Sequence, residues 1–66
     1  MASYRVYCMD GSGKITLAHW LEASDDDDAI RKTHQLKGDA PRCEIWLQSR
    51  LIARLSPDGR FVRVVT

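Results

Sequence analysis

Apolar and polar residues alternate with a period of two along most of this chain, and one central stretch changes to a helical period. Tyr4 to Met9 alternates and is rich in aromatic and β-branched residues. Asp10-Gly11-Ser12-Gly13 comes next as a turn cluster, and Lys14 to Glu22 resumes an extended pattern, so the first two segments read as a hairpin. Ser24 is then a candidate N-cap, with Asp27 three residues on and Asp25–Asp28 filling the first turn. Ala29, Ile30, Thr33 and Leu36 fall on one helical face, cations gather toward the end, and Gly38 stops the run. The spacing predicts a helix over 24–37, with Ile30 and Leu36 packed on the sheet and the four aspartates left in solvent. Arg42 to Gln48, Leu51 to Leu55 and Phe61 to Val65 alternate again, separated by Ser49-Arg50 and by Ser56-Pro57-Asp58-Gly59. The order is ββαβββ: an α+β fold, one antiparallel sheet with a single helix packed on one face.

Alternation divides the strand residues into two lists, because successive side chains point to opposite faces. One list is nearly all apolar: Tyr4, Val6, Cys8, Ile15, Leu17, Leu21, Cys43, Ile45, Leu47, Leu51, Ala53, Leu55, Val62 and Val64. The helix is its natural cover. The other holds Arg5, Tyr7, Met9, Trp20, Glu22, Glu44, Trp46, Ile52, Arg54, Phe61 and Arg63. A sheet face meant only for water is polar. This one mixes large aromatic residues with arginine, the combination enriched at interface hot spots, and no second helix remains to bury it. Arginine stems lying over the indoles would instead let the face cover itself.

Length bounds what such a face can serve. Sixty-six residues make one domain spanning 1–66, too small for a separate cofactor domain or a deep cleft. Surface scaling gives about 4,250 Å² of folded surface against roughly 10,900 Å² unfolded, a marginal burial for a chain standing alone. The net charge of +1 excludes the strongly basic footprint of a typical nucleic-acid binder. Charge is uneven, however: residues 1–33 carry a net −2 and residues 34–66 a net +3.

Chemical motifs are weak throughout. Gly11-Ser12-Gly13-Lys14 echoes a phosphate loop, but Cys8 stands where that pattern needs its first glycine and Ile15 where it needs Ser or Thr. The aspartate run lacks the glycine and terminal glutamate of a calcium loop. Cys8, His19, His34 and Cys43 lie on four different elements without zinc-ligand spacing. No nucleophile elbow or paired-carboxylate spacing marks an enzyme, and no cofactor or metal is expected. The N-terminus shows no apolar stretch of a secretory signal and no run is long enough to cross a bilayer, so a cytoplasmic protein is expected. There the two cysteines read as buried, reduced thiols; one bridge closing a 35-residue loop is the alternative.

The segments Tyr4-Arg5-Val6-Tyr7, Asp10-Gly11, Asp28-Ala29-Ile30, Cys43-Glu44-Ile45-Trp46 and Arg50-Leu51-Ile52-Ala53 resemble a group of short uncharacterised bacterial proteins. These share an RxYxxDGxG start and a CEhWxxxRLhA end, and the resemblance covers residues 4–55. It implies a bacterial cytosolic origin and carries over no fold, activity, ligand or functional residue. The function expected from the residues is a small interaction module, docking a second copy or another protein through Tyr7, Met9, Trp20, Trp46, Ile52 and Arg54 or through an edge strand. The alternative is single-stranded nucleic-acid binding, with bases stacked on the aromatic residues and Arg5, Arg54 and Arg63 on phosphates. Neither a membrane nor a small-molecule substrate is expected as partner.

Overall fold

The computed structural model describes residues 1–64; Val65, placed above at the end of the fifth strand, lies outside them. Five strands and one helix occur in the expected order: β1 (Ala2–Met9), β2 (Ile15–Ala23), α1 (Asp26–Leu36), β3 (Arg42–Leu47), β4 (Arg50–Leu55) and β5 (Phe61–Arg63). They form a small α+β domain with one open antiparallel sheet, ordered β2-β1-β3-β4-β5. A hairpin, β1–β2, and a three-stranded meander, β3–β4–β5, flank a crossover. The chain leaves the edge strand β2, crosses one face as α1, and returns as β3 on the far side of β1.

Local chemistry explains each reversal. In the β1–β2 turn the Asp10 carboxylate accepts hydrogen bonds from the N–H of Ser12 (2.9 Å) and of Lys14 (3.0 Å), and Gly13 takes a φ of +88° that favours glycine. The Ser12 hydroxyl and these amides hold the Asp10 carboxyl below its ordinary pKa. They also turn the loop amides onto a side chain of the loop itself, not outward toward a phosphate. Between β3 and β4 the turn is Gln48–Ser49, one residue earlier than expected, with Gln48 at φ +56°.

The core forms between the sheet and α1. Tyr4, Val6, Cys8, Cys43, Ile45 and Ala53 are buried on the helix-facing side, with Ala29 and Thr33 of α1 set against them. The helix thus meets the sheet through small residues, which allow close approach. Thr33 spends its hydroxyl on the Ala29 carbonyl at 2.7 Å, so its polar group is paired there. Ile30 packs at the margin of the core as expected. Leu36 does not: it is 41% exposed at the last turn, because the helix rests on its Ala29–Thr33 stripe. The accessible surface is 4457 Å², close to the value expected from mass.

Of the four aspartates expected in solvent, Asp25 and Asp27 are exposed as expected, whereas Asp26 and Asp28 are drawn partly into the fold. The N-cap is Asp25, one residue after the expected Ser24, and its side chain accepts from the Asp28 N–H at 2.8 Å. Asp28 in turn accepts from the Ser24 N–H at 3.0 Å and pairs with Lys32 at 3.2 Å and with Arg31. Asp26 accepts from the Tyr4 hydroxyl at 2.7 Å and pairs with Arg63 at 3.0 Å; Asp27 also pairs with Arg63. Burial, together with the bond to Asp26, pushes the Tyr4 hydroxyl up to about 12.

Cys8 and Cys43 are directly opposite on β1 and β3 and are joined by a disulfide, replacing the two reduced thiols expected. Such a bridge fits less well with the cytoplasm, where thiols are kept reduced. No described helix is long and apolar enough to cross a membrane.

Given this packing, Leu36→Ala changes stability by less than about 1 kcal/mol, whereas Ile45→Ala costs about 2–5 kcal/mol; denaturant melts of the two variants check the helix register. Reducing the bridge, which spans 35 residues, releases loop entropy and lowers stability by about 3–4 kcal/mol, read as a fall in Tm in the presence of a thiol reductant. The Asp28 carboxyl is held down to about 2, first by the Ser24 N–H and then by Lys32 and Arg31. A depressed carboxylate stabilises the fold above its unfolded value near 3.9 and loses that contribution as pH falls through about 2. Asp28→Asn therefore flattens the decline in stability between pH 4 and pH 2, measured by acid titration of the far-UV CD signal.

Candidate interaction surface

The helix covers one face of the sheet, and the opposite face carries most of the aromatic residues outside the core. Directly opposed residues on neighbouring antiparallel strands share a face, so the register specifies its rows. One row runs Trp20–Arg5–Trp46–Leu51 across β2, β1, β3 and β4. The next runs Ala18–Tyr7–Glu44–Arg54–Val62 across all five strands. A third brings Ile15, Met9 and Arg42 together at one end.

Arg5 organises the centre. Its guanidinium lies 4.6 Å from the centroid of the Trp20 ring and donates to the Tyr7 hydroxyl at 3.2 Å. Trp20 is nonetheless 62% exposed, since β2 is an edge strand and the arginine covers it from one side only. Trp46, on a central strand, is half-buried and donates its indole N–H to Glu44 at 3.2 Å. Tyr7 and Met9 are half-buried, and Arg54 is exposed. Arginine packing and aromatic exposure thus occur on the same face.

Five of the six expected partner-binding residues, Tyr7, Met9, Trp20, Trp46 and Arg54, lie on this open face. Ile52 does not. A bulge in β4 lets Ile45 pair with Ala53 and Trp46 with Leu51, and Ile52 is the extra residue between them. The bulge turns Ile52 and Ala53 together into the core, leaving Ile52 4% exposed. Leu51, expected inside, comes opposite Trp46 on the open face as a consequence. A second bulge, at Thr16 in β2, does the same to Ile15, which pairs with Met9 and is exposed.

Strand β5 also presents the reverse of its expected faces. Leu55 pairs with Phe61 and Ala53 with Arg63, so Phe61 and Arg63 lie on the helix side and Val62 on the open side. Phe61 makes a T-shaped contact with His34 on α1 at 4.8 Å between ring centroids, and Arg63 reaches the aspartates at the helix start. The signal was available in the turn: closing the loop with the Ser56 N–H on the Arg60 carbonyl places Phe61 beside Leu55, on the buried side.

Among the described residues, no group of three or more His, Cys, Asp and Glu side chains is placed to hold a metal ion. Comparison with protein-family models, with curated proteins and with solved structures finds no match.

Proposed function

We propose that this protein is a small, non-enzymatic interaction module that associates with itself or with another protein through the open sheet face and the edge of β2. The row Trp20–Arg5–Trp46 carries the reading. It sets two indoles and a guanidinium, residue types that dominate interface energetics, on a sheet face that the one helix does not reach. An indole buries about 150–250 Å² when fully covered, and Trp20 leaves most of its own surface in solvent. The flanking charges, Arg54 and Arg42 with Glu22, form a mixed polar rim suited to a protein partner. The Cys8–Cys43 bridge favours a compartment oxidising enough to keep it closed, over the cytoplasm.

Single-stranded nucleic acid is the less well supported partner. Arg5 already occupies one side of the Trp20 ring, and Glu44 takes the Trp46 N–H in the middle of the face. A base stacking there would displace the first and approach the carboxylate of the second.

Light scattering across a concentration series tests the reading. The wild type is expected to gain mass with concentration and to show a concentration-dependent Tm. Trp20→Ala keeps its fold, within about 1 kcal/mol of the wild type, and loses that dependence. An indole fluorescence change on adding a single-stranded oligonucleotide, weakening steeply with salt, would favour nucleic acid instead.

A further inference from the structure

The backbone of β2 defines a narrower docking element than the face as a whole. Cys8 and Cys43 stand opposite each other at a Cα separation of 4.0 Å, the close spacing of a non-hydrogen-bonded antiparallel pair. The N–H and C=O of Cys8 therefore point toward β2, as do those of Val6 and Tyr4 on the same alternation. Their β2 partners Leu17, His19 and Leu21 turn their own backbone groups inward. Ala18, Trp20 and Glu22 consequently point theirs outward, past the edge of the sheet. The contact at Glu22 agrees: its carbonyl accepts from Lys32 Nζ of the helix at 2.9 Å.

That lysine guards one end of the edge, and the Thr16 bulge interrupts it at the other. The opposite edge of the sheet is protected by brevity, since β5 has only three residues. Between the two guards on β2 lie Ala18, His19 and Trp20, an apolar-flanked window without proline or formal charge.

We propose that this window pairs with the same window of a second copy, antiparallel, about a two-fold axis through His19. The inference rests on the interaction reading above and deepens it. In this register Ala18 exchanges both backbone hydrogen bonds with Trp20 of the second copy, and the symmetric pair does the same. The side chains fit as well. Each Trp20 indole lies opposite the small Ala18 of the other copy on the open face, and each Leu17 lies opposite Leu21 on the helix side. Shifting the register by one residue toward the C-terminus sets Ala18 against Glu22, whose carbonyl Lys32 already occupies. Shifting it the other way runs the pairing into the bulge. The window therefore matches its own copy in one register only, and the two open faces join into one sheet.

Two variants and one cross-link test this. Ala18→Pro removes an N–H that makes no bond within the chain's own sheet, so it leaves the fold intact by far-UV CD. It is expected to weaken the dimer by about tenfold or more in sedimentation equilibrium, because one hydrogen bond is lost on each side of the axis. Ala18→Arg, which fills the space opposite Trp20 and sets two like charges beside the axis, is expected to be monomeric even if the proline variant fails to fold. His19→Cys places two thiols across the axis at the spacing of a non-hydrogen-bonded pair, within disulfide reach, and is expected to give a covalent dimer on mild oxidation. Both native cysteines are already bridged, so the new thiol is the sole free one. A dimer that persists in Ala18→Arg, fails to cross-link through residue 19 and dissociates in Trp46→Arg would overturn the edge pairing while leaving association through the open face standing. A wild type that stays monomeric and does not cross-link as His19→Cys overturns the pairing outright.

Discussion

Strand β1 is hydrogen-bonded along both of its edges, to β2 on one side and to β3 on the other, and the rest of the molecule is arranged around that position. Its inward residues Tyr4, Val6 and Cys8 are all buried: paired strands flank Val6 and Cys8 on both sides, and α1 covers the face from above. The β1–β3 pairing also joins the β1–β2 hairpin and the β3–β4–β5 meander into one sheet, and it is the pairing that the disulfide crosses. A helix of 11 residues is long enough to close one side of such a sheet but not two. The uncovered side is thus a direct result of the connectivity, and so is the exposure of the aromatic residues on it.

The order and type of the elements were legible because each strand keeps its alternation and each turn has its own chemistry, as at Asp10 and at Pro57–Gly59. The strand order was not, since nothing local specifies that β3 joins β1 and not β2. The open face was legible where strands are regular: Arg5, Tyr7, Trp20 and Trp46 all sit where alternation puts them. It failed at Ile52 and Ile15, where a single inserted residue reverses the parity of its strand neighbours. It failed again in β5, where Val62 and Val64 suggested a buried face that the loop closure at Ser56–Arg60 reverses.

Helix α1 shows a different limit. Periodicity identified the stripe containing Ala29, Ile30, Thr33 and Leu36, but size decided which part of it touches the sheet. Ala29 and Thr33 allow a close approach, and Leu36, the largest apolar residue of the four with Ile30, is left at the rim. The aspartates before it have a similar history. As a bare charge run they suggest only solvent, yet Tyr4 and Arg63 together hold Asp26, and the Ser24 amide holds Asp28.

The separation of β1 from its second partner has a consequence for how the chain is made. During synthesis the β1–β2 hairpin is complete well before β3 exists. At about 5–20 residues per second, the 35 residues between Cys8 and Cys43 take roughly two to seven seconds to emerge. Throughout that interval the inner edge of β1 is open, its valine and tyrosine are uncovered, and Cys8 is a free thiol. The nascent hairpin has a sticky side that the mature protein lacks, and the crossover must arrive before another strand does.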